Sequence, residues 1–292
     1  MKSGFIAIIG RPSAGKSTLL NTICGYKISI TAQSPQTTRN KIRGIYTDTD
    51  KGQIVFLDTP GYHISDKKFN NYMMEAVHSS ISEADVVMYV VDSTKVLGKE
   101  EQEIINIVNS SNKPLILVLN KMDIKNKALE EMRGLLAVNI KPKAILEISA
   151  LKEQGITELK DALIENCPEG PLMYPAEYYT DQEPEFRMAE IIREKAIRRV
   201  KDEVPHSIYV EMADTEYNEA ENTMWVRAFL TVEQESQKGF VIGHKGETIK
   251  KIRIGAQREL NKIFPYKIKL DLRVKVNKRW RRKDYLLKGI LK

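Results

Sequence analysis

Gly10, Arg11, Pro12, Ser13, Ala14, Gly15, Lys16 and Ser17, followed by Thr18, stand directly between an apolar run at residues 5–9 and a helical pattern at residues 16–24. They spell G-x-x-x-x-G-K-[ST]. The glycines of that pattern let successive backbone N–H groups turn inward around a phosphate, and the helix that follows adds its positive end. A strand that runs through such a loop into a helix fits few architectures. The loop belongs at the carboxyl end of a parallel strand, where open α/β sheets bind their ligands. In that setting Lys16 reaches the β- and γ-phosphates of a nucleotide, and the Ser17 hydroxyl ligates Mg²⁺.

Further apolar runs at residues 54–57, 85–91, 115–119 and 144–148 alternate with helical spacing at 70–82, 100–109 and 157–166. Fully apolar strands separated by helices predict a mostly parallel sheet of the P-loop type with helices on both faces. Asp58, Thr59, Pro60 and Gly61 end one strand. The aspartate can hold Mg²⁺ through water, and the glycine lets its N–H approach a γ-phosphate. D-x-x-G alone is an ordinary turn; behind the phosphate loop it is informative. Asn120, Lys121, Met122 and Asp123 end another strand. A fixed carboxylate there accepts from the N1–H and 2-amino group of guanine, whereas adenine leaves it unpaired. Ser149 and Ala150 close the last strand and offer a backbone N–H to the guanine O6.

Charge divides the chain. Residues 1–183 hold 21 Lys and Arg against 23 Asp and Glu, residues 184–292 hold 25 against 16, and from Ser236 onward the ratio is 18 to 4. The net charge of +7 therefore sits at the back and points to a polyanionic partner. Pro168, Pro171, Pro175 and Pro184, with Tyr174, Tyr178 and Tyr179 among them, read as a semi-rigid linker. The expected organisation is a first domain at 1–170, a linker at 171–183 and a second domain at 184–292. Two cysteines, Cys24 and Cys167, cannot build a disulfide framework or a zinc cluster, which favours a reducing compartment. The longest uncharged apolar run, residues 86–91, is too short to span a bilayer, and nothing at the start reads as a secretory leader.

The basic part carries a second glycine loop. Gly243, His244, Lys245 and Gly246 follow the apolar Val241 and Ile242, and a helix with apolar residues at Ile249, Ile252 and Ala256 comes after them. A G-x-x-G loop in that place clamps about four single-stranded nucleotides in a KH domain. The glycines bring helix N–H groups against phosphates, and Lys245, Lys250 and Lys251 add charge. A helix at 186–200, strands at 206–212 and 224–232, the loop helix and a strand at 267–276 give the order of a smaller α+β, type II KH fold. Trp225 and Trp280 are more often core than base platforms. The basic run from Lys278 to Lys283 reads as a nucleic-acid contact ahead of a merely solvated edge.

The ordered loops resemble the translation-factor-like class of P-loop GTPases, and residues 34–39 (SPQTTR) are similar to the first switch of the Era family. The resemblance implies that Thr38, or Thr37 one register away, closes over the γ-phosphate and joins Ser17 and Asp58 as a Mg²⁺ ligand. Lys16, Thr38 and Gly61 then form the catalytic set. Two positions depart from related patterns. Tyr62 follows Gly61 where a Ras-like enzyme has a water-orienting glutamine. Ser13 stands where several relatives have an asparagine that helps hold potassium, so potassium activation lacks its usual ligand. His63 reads as a surface residue of the second switch rather than a base. A GTPase domain followed by a KH domain resembles the Era family over the whole chain, and the resemblance implies Mg²⁺-dependent GTP hydrolysis and binding of small-subunit ribosomal RNA near its 3′ end. It implies a role in 30S subunit maturation, played by a cytoplasmic monomer able to associate peripherally with the inner membrane.

Overall fold

The computed structural model describes residues 1–32, 37–63, 68–126 and 129–290. Two compact units divide the chain: Met1–Thr31 with Thr38–Asp181, and Ala32–Thr37 with Gln182–Lys292. Ser34, Pro35 and Gln36 of the expected first switch lie outside the described residues.

The first unit runs β1 (Lys2–Ile9), α1 (Lys16–Cys24), β2 (Ile42–Asp48), β3 (Gly52–Asp58), α2 (Lys68–Glu83), β4 (Val86–Asp92), α3 (Lys99–Ser110), β5 (Leu115–Asn120), α4 (Leu129–Asn139), β6 (Ala144–Glu147) and α5 (Ile156–Asn166). The sheet order is β2-β3-β1-β4-β5-β6. Every pairing is parallel except β2 with β3, whose register places Ile42 opposite Asp58 and Asp48 opposite Gly52. The central strands are buried on both faces: Ile6, Ala7, Ile8, Val86, Val87 and Met88 have no exposed surface. Each of these side chains larger than alanine contributes about 1.5–3 kcal/mol on burial, so this part of the sheet anchors everything at its ends. Because β1, β3, β5 and β6 point the same way, the loops after residues 9, 58, 120 and 147 all open on one edge.

The antiparallel strand β2 and helix α4 have no counterpart in the periodicity. Gly44 interrupts the apolar pattern of β2, and Leu20 Cδ1 lies 2.6 Å from where a Cβ would stand there, so the glycine admits α1 packing rather than ending the strand. Helix α4 exposes Leu135 and Val138 and buries only Met132 and Leu136 among its residues, which blurs its amphipathic stripe.

The proline-rich segment packs on the first unit up to Asp181. Ser3 N–H donates to Pro168 O at 3.0 Å and Gly170 N–H to Met1 O at 3.1 Å. Gln53 Oε1 accepts from the N–H groups of Met173 and Tyr174, Ile45 N–H donates to Tyr179 O at 2.9 Å, and Thr180 Oγ1 donates to Arg43 O. Arg43 pairs with Asp181 at 3.0 Å and Tyr179 stacks on Tyr26 with centroids 4.2 Å apart. Proline stiffness and tyrosine surface here serve docking along the open edge of β2, whereas the sequence suggests a spacer at 171–183.

The second unit runs α6 (Pro184–Ile197), α7 (Val204–Ser207), β7 (Tyr209–Asn218), β8 (Thr223–Val232), α8 (Glu235–Ile242), α9 (Glu247–Ile263), β9 (Lys267–Val276) and α10 (Asp284–Ile290). Its sheet order is β7-β8-β9, antiparallel then parallel. One face of β9 buries Ile268, Leu270 and Leu272 under Met188, Ile192, Ile252, Ala256 and Leu260 of α6 and α9. Trp280 is fully buried and its Nε1–H donates to Ser207 O at 2.8 Å, so it is core. Trp225 lies half-buried with the Arg227 guanidinium 4.8 Å above its ring.

Candidate functional site

The phosphate loop leaves β1 and turns into α1 through Gly15, at φ 95°. A Cβ at Gly15 would meet Asn120 Nδ2 at 2.3 Å, so only glycine fits between the loop and the end of β5. Lys16 is buried and its Nζ donates to Gly10 O at 2.8 Å and Arg11 O at 2.9 Å, inside the loop that it would share with a phosphate. Burial pulls its pKa from 10.5 to about 8, with Asp58 opposing the shift. Negative phosphates would restore the ammonium form. Binding of GDP at about pH 9 should therefore take up a proton that binding at about pH 7 does not, an uptake that Lys16→Ala should lose. Calorimetry in buffers of different ionisation enthalpy reads it, and equal uptake by parent and variant would count against Lys16. In the nucleotide-free chain the unfolded state holds this proton up to 10.5 and the folded state only to about 8, so the residue's contribution to stability rises with pH across that window.

Below the loop three oxygen-bearing side chains converge. Ser17 Oγ lies 2.7 Å from Thr38 Oγ1 and donates to Asp58 Oδ2 at 2.9 Å, with Thr38 Oγ1 3.5 Å from the same oxygen. Thr38 is buried, and its hydroxyl reaches Ser17. Asp58 is fully buried; burial raises its pKa, while Lys16, Ser29, Ser17 and Thr38 oppose the shift. Its Oδ1 has no hydrogen-bond partner. An orphaned carboxylate oxygen beside two hydroxyls is a hard-oxygen donor set, and it fits Mg²⁺ shared with substrate phosphates. Among the described residues no group of three or more His, Cys, Asp or Glu could hold a metal by itself.

Across the edge, Asn120 ties three loops together. Its Nδ2 donates to Ala14 O at 2.9 Å, and its Oδ1 accepts from Lys121 N–H at 2.8 Å and Ala150 N–H at 3.0 Å. Lys121 Nζ bridges Ser13 O at 2.8 Å and Asp92 Oδ2 at 2.6 Å. Ser149 Oγ donates to Asp123 Oδ1 at 2.6 Å, which orients an exposed carboxylate. The Ala150 N–H expected to face a base oxygen is thus already engaged, and a guanine O6 reaching it must share or displace that bond. Thr59 Oγ1 donates to Ile8 O at 2.6 Å. The turn Asp58–Gly61 lies against the phosphate loop, with Tyr62 N–H donating to Gly10 O at 3.1 Å.

His63 Nδ1 lies 2.7 Å from Glu100 Oε1, and Arg11 Nε meets Glu100 Oε2 at 2.7 Å while its Nη1 meets Glu101 at 2.9 Å. The histidine is engaged with helix α3 rather than turned to a substrate. Tyr62 packs its ring on the core. Asn21, Ser29, Asp92, Glu100 and Glu101 all support the site and belong to no motif; only the arrival of Asp92 at the end of an apolar strand could have signalled one of them.

In the second unit Gly243, at φ 73°, would push a Cβ to 2.2 Å from Thr248 Oγ1, so the loop sits flush on the first turn of α9. Lys245 adopts φ 46° and Gly246 φ 79°, and His244 and Lys245 are exposed. Ile242 is half-buried, Lys250 is exposed, and Lys251 lies 3.7 Å from Glu247. Of the run 278–283, Arg281 pairs with Glu233 at 2.5 Å and Lys283 with Asn277 at 2.6 Å, while Lys278, Arg279 and Arg282 are exposed.

A phosphate loop, an oxygen-lined cation site and an Asn-Lys-x-Asp base loop at one sheet edge, joined to a G-x-x-G module, define a P-loop GTPase fused to a KH domain. A family model described as 50S ribosome-binding GTPase matches residues 5–121, and a KH domain model matches residues 203–281. GTPase Era from Borreliella burgdorferi is 49% identical over 292 residues, covering 100% of both chains. GTPase Era from Treponema denticola is 49% identical over 294 residues, covering 99% of each. Among solved structures, a tyrosine-to-alanine variant of Aquifex aeolicus Era bound to GDP.AlF4- superposes with TM-score 0.95 at 34% identity, covering 100% of both chains. Era in complex with MgGDPNP and nucleotides 1506–1542 of 16S ribosomal RNA gives the same TM-score, identity and coverage. The chain belongs to the Era family of GTPases and is a GTP hydrolase.

Proposed function

We propose that the chain hydrolyses GTP at the edge formed by Gly10–Thr18, Thr38, Asp58–Gly61, Asn120–Asp123 and Ser149–Ala150, and binds small-subunit ribosomal RNA near its 3′ end through residues 242–251. The action would serve maturation of the 30S subunit. The observation that carries this reading is the convergence of Ser17, Thr38 and an Asp58 with an orphaned oxygen beneath the phosphate loop. Lys16 neutralises charge that develops between the β- and γ-phosphates, and the Gly61 N–H approaches the γ-phosphate. Ser17 and Thr38, with Asp58 through water, would hold Mg²⁺, which would supply further charge neutralisation. Asp123, oriented by Ser149, selects guanine. A related Era that holds MgGDPNP and a 16S fragment together supports both halves of the reading.

The same reading makes the protein a cytoplasmic monomer with peripheral contact at the inner membrane, drawn from the family resemblance; among the described residues no helix is long and apolar enough to cross a membrane. Potassium activation is not part of it, since Ser13 replaces the usual asparagine.

Two measurements test the proposal. Lys16→Ala should slow GTP turnover about a hundredfold or more while RNA binding persists. RNA affinity should differ between the GDP form and the form loaded with a non-hydrolysable GTP analogue. An unchanged affinity would make the chain a constitutive RNA adaptor, and unaltered turnover in folded Lys16→Ala would remove the phosphate-loop assignment.

A further inference from the structure

Between α1 and the first switch lies a residue that none of the motifs contains. Ser29 is fully buried, and its hydroxyl donates to Asp58 Oδ2 at 2.8 Å. Helix α1 fixes its backbone on both sides. Asn21 Oδ1 accepts from Ile28 N–H at 2.8 Å and Ser29 N–H at 2.9 Å, and Asn21 Nδ2 donates to Ser29 O at 2.8 Å. Asn21 stands four residues after Ser17, one turn along the same helix face. Ser17 in turn donates to the same Asp58 Oδ2 at 2.9 Å. The hydrogen bonds close a circuit from Ser17 to Asp58, to Ser29, to Asn21 and back along one helical turn.

We infer that Ser29, set in place by Asn21, is a positioning residue for the Mg²⁺-facing carboxylate: it holds Oδ2 of Asp58 so that Oδ1 is presented to the cation's hydration shell. The inference rests on the reading of Ser17, Thr38 and Asp58 as the metal site. A carboxylate has about four lone-pair positions to satisfy, and in a buried setting it turns toward whatever donors it finds. Here both well-formed hydroxyl bonds fall on one oxygen while the other has none. That asymmetry needs an anchor independent of Ser17, whose own oxygen is to face the metal. Ser29 supplies it. The three bonds from Asn21 distinguish this from a buried hydroxyl that takes the nearest acceptor, because they fix the serine backbone before its side chain chooses a partner.

The test is dissociation of a fluorescent GDP analogue from the full chain, followed across Mg²⁺ concentration and in EDTA. The parent should release it more slowly as Mg²⁺ rises; without that dependence the metal-site reading itself falls. With the dependence present, Ser29→Ala should require about tenfold more Mg²⁺ for the same retention, since a hydrogen bond to a charged group is removed. Its release in EDTA should stay within about twofold of the parent. Ser29→Thr, which keeps a hydroxyl, should recover most of the Mg²⁺ response. Asn21→Ala should shift the Mg²⁺ requirement in the same direction, and the double variant should be no worse than Ser29→Ala alone, because one residue acts through the other. An unchanged Mg²⁺ requirement in Ser29→Ala, equal weakening with and without Mg²⁺, or additive effects in the double variant would overturn the inference. If Ser29→Ala does not fold, as judged by thermal unfolding, Asn21→Ala at its half-buried position carries the same comparison between Mg²⁺ and EDTA.

Discussion

Asp123→Asn should convert a guanine site into a xanthine site. The parent carboxylate accepts from two guanine donors, N1–H and the 2-amino group. Asparagine replaces one acceptor with a donor, which suits the oxygen that xanthine carries at C2. Sites built on such bonds reject the wrong partner by roughly 10⁴–10⁵, so GTP affinity should fall by orders of magnitude while XTP affinity rises. The fold should tolerate the change because Asp123 is exposed and its tie to Ser149, at 2.6 Å, can be remade by an amide oxygen. Competition of GTP and XTP for one fluorescent nucleotide measures it. Equal loss of both would mean that residue 123 supports the loop instead of reading the base.

The second large effect lies in the other unit. Replacing His244 and Lys245 with aspartate puts two negative charges where a phosphate backbone would pass, and RNA affinity should drop sharply. The slope of affinity against salt should flatten by roughly 0.7 for each phosphate that the loop no longer neutralises. The substitution is gentle on the backbone. Lys245 already sits at φ 46°, a left-handed conformation that aspartate adopts more readily than lysine. GTP turnover on the same preparation should persist. A salt titration with single-stranded RNA in which the double variant binds like the parent would reduce the loop to an ordinary turn.

That these loops share one edge was legible wherever a motif follows an apolar strand. Gly10–Ser17, Asp58–Gly61 and Asn120–Asp123 each trail a buried strand, Ser149–Ala150 follows the half-exposed β6, and parallel strands must deliver their ends to one edge. What stayed hidden was polar support. Ser29 and Asn21 carry no spacing signature, since their partners are Asp58 and a backbone loop brought together only by folding. The contact between His63 and Glu100 likewise joins residues 37 positions apart. Strand β2 escaped for a related reason: Gly44 is there for a neighbour's side chain, Leu20, which no local window contains. Thr37 and Thr38 are chemically alike, so no sequence signal could say which hydroxyl lies beside Ser17; folding places that of Thr38 there.

The docking of residues 168–181 on the first unit bears on the order in which this protein can be made. An open, unpaired strand edge invites pairing with other chains. The edge of β2 stays open until Tyr179 accepts the Ile45 N–H, and the Ser3 N–H of β1 lacks an acceptor until Pro168 arrives. During synthesis the GTPase unit therefore cannot seal its sheet when α5 emerges at Asn166; it waits for another 15 residues, through Asp181. A nascent chain stalled in that interval presents a nearly complete domain with one exposed strand, a natural substrate for chaperones. A fragment cut at residue 166 would freeze the same state, whereas one ending after Asp181 would carry its own seam.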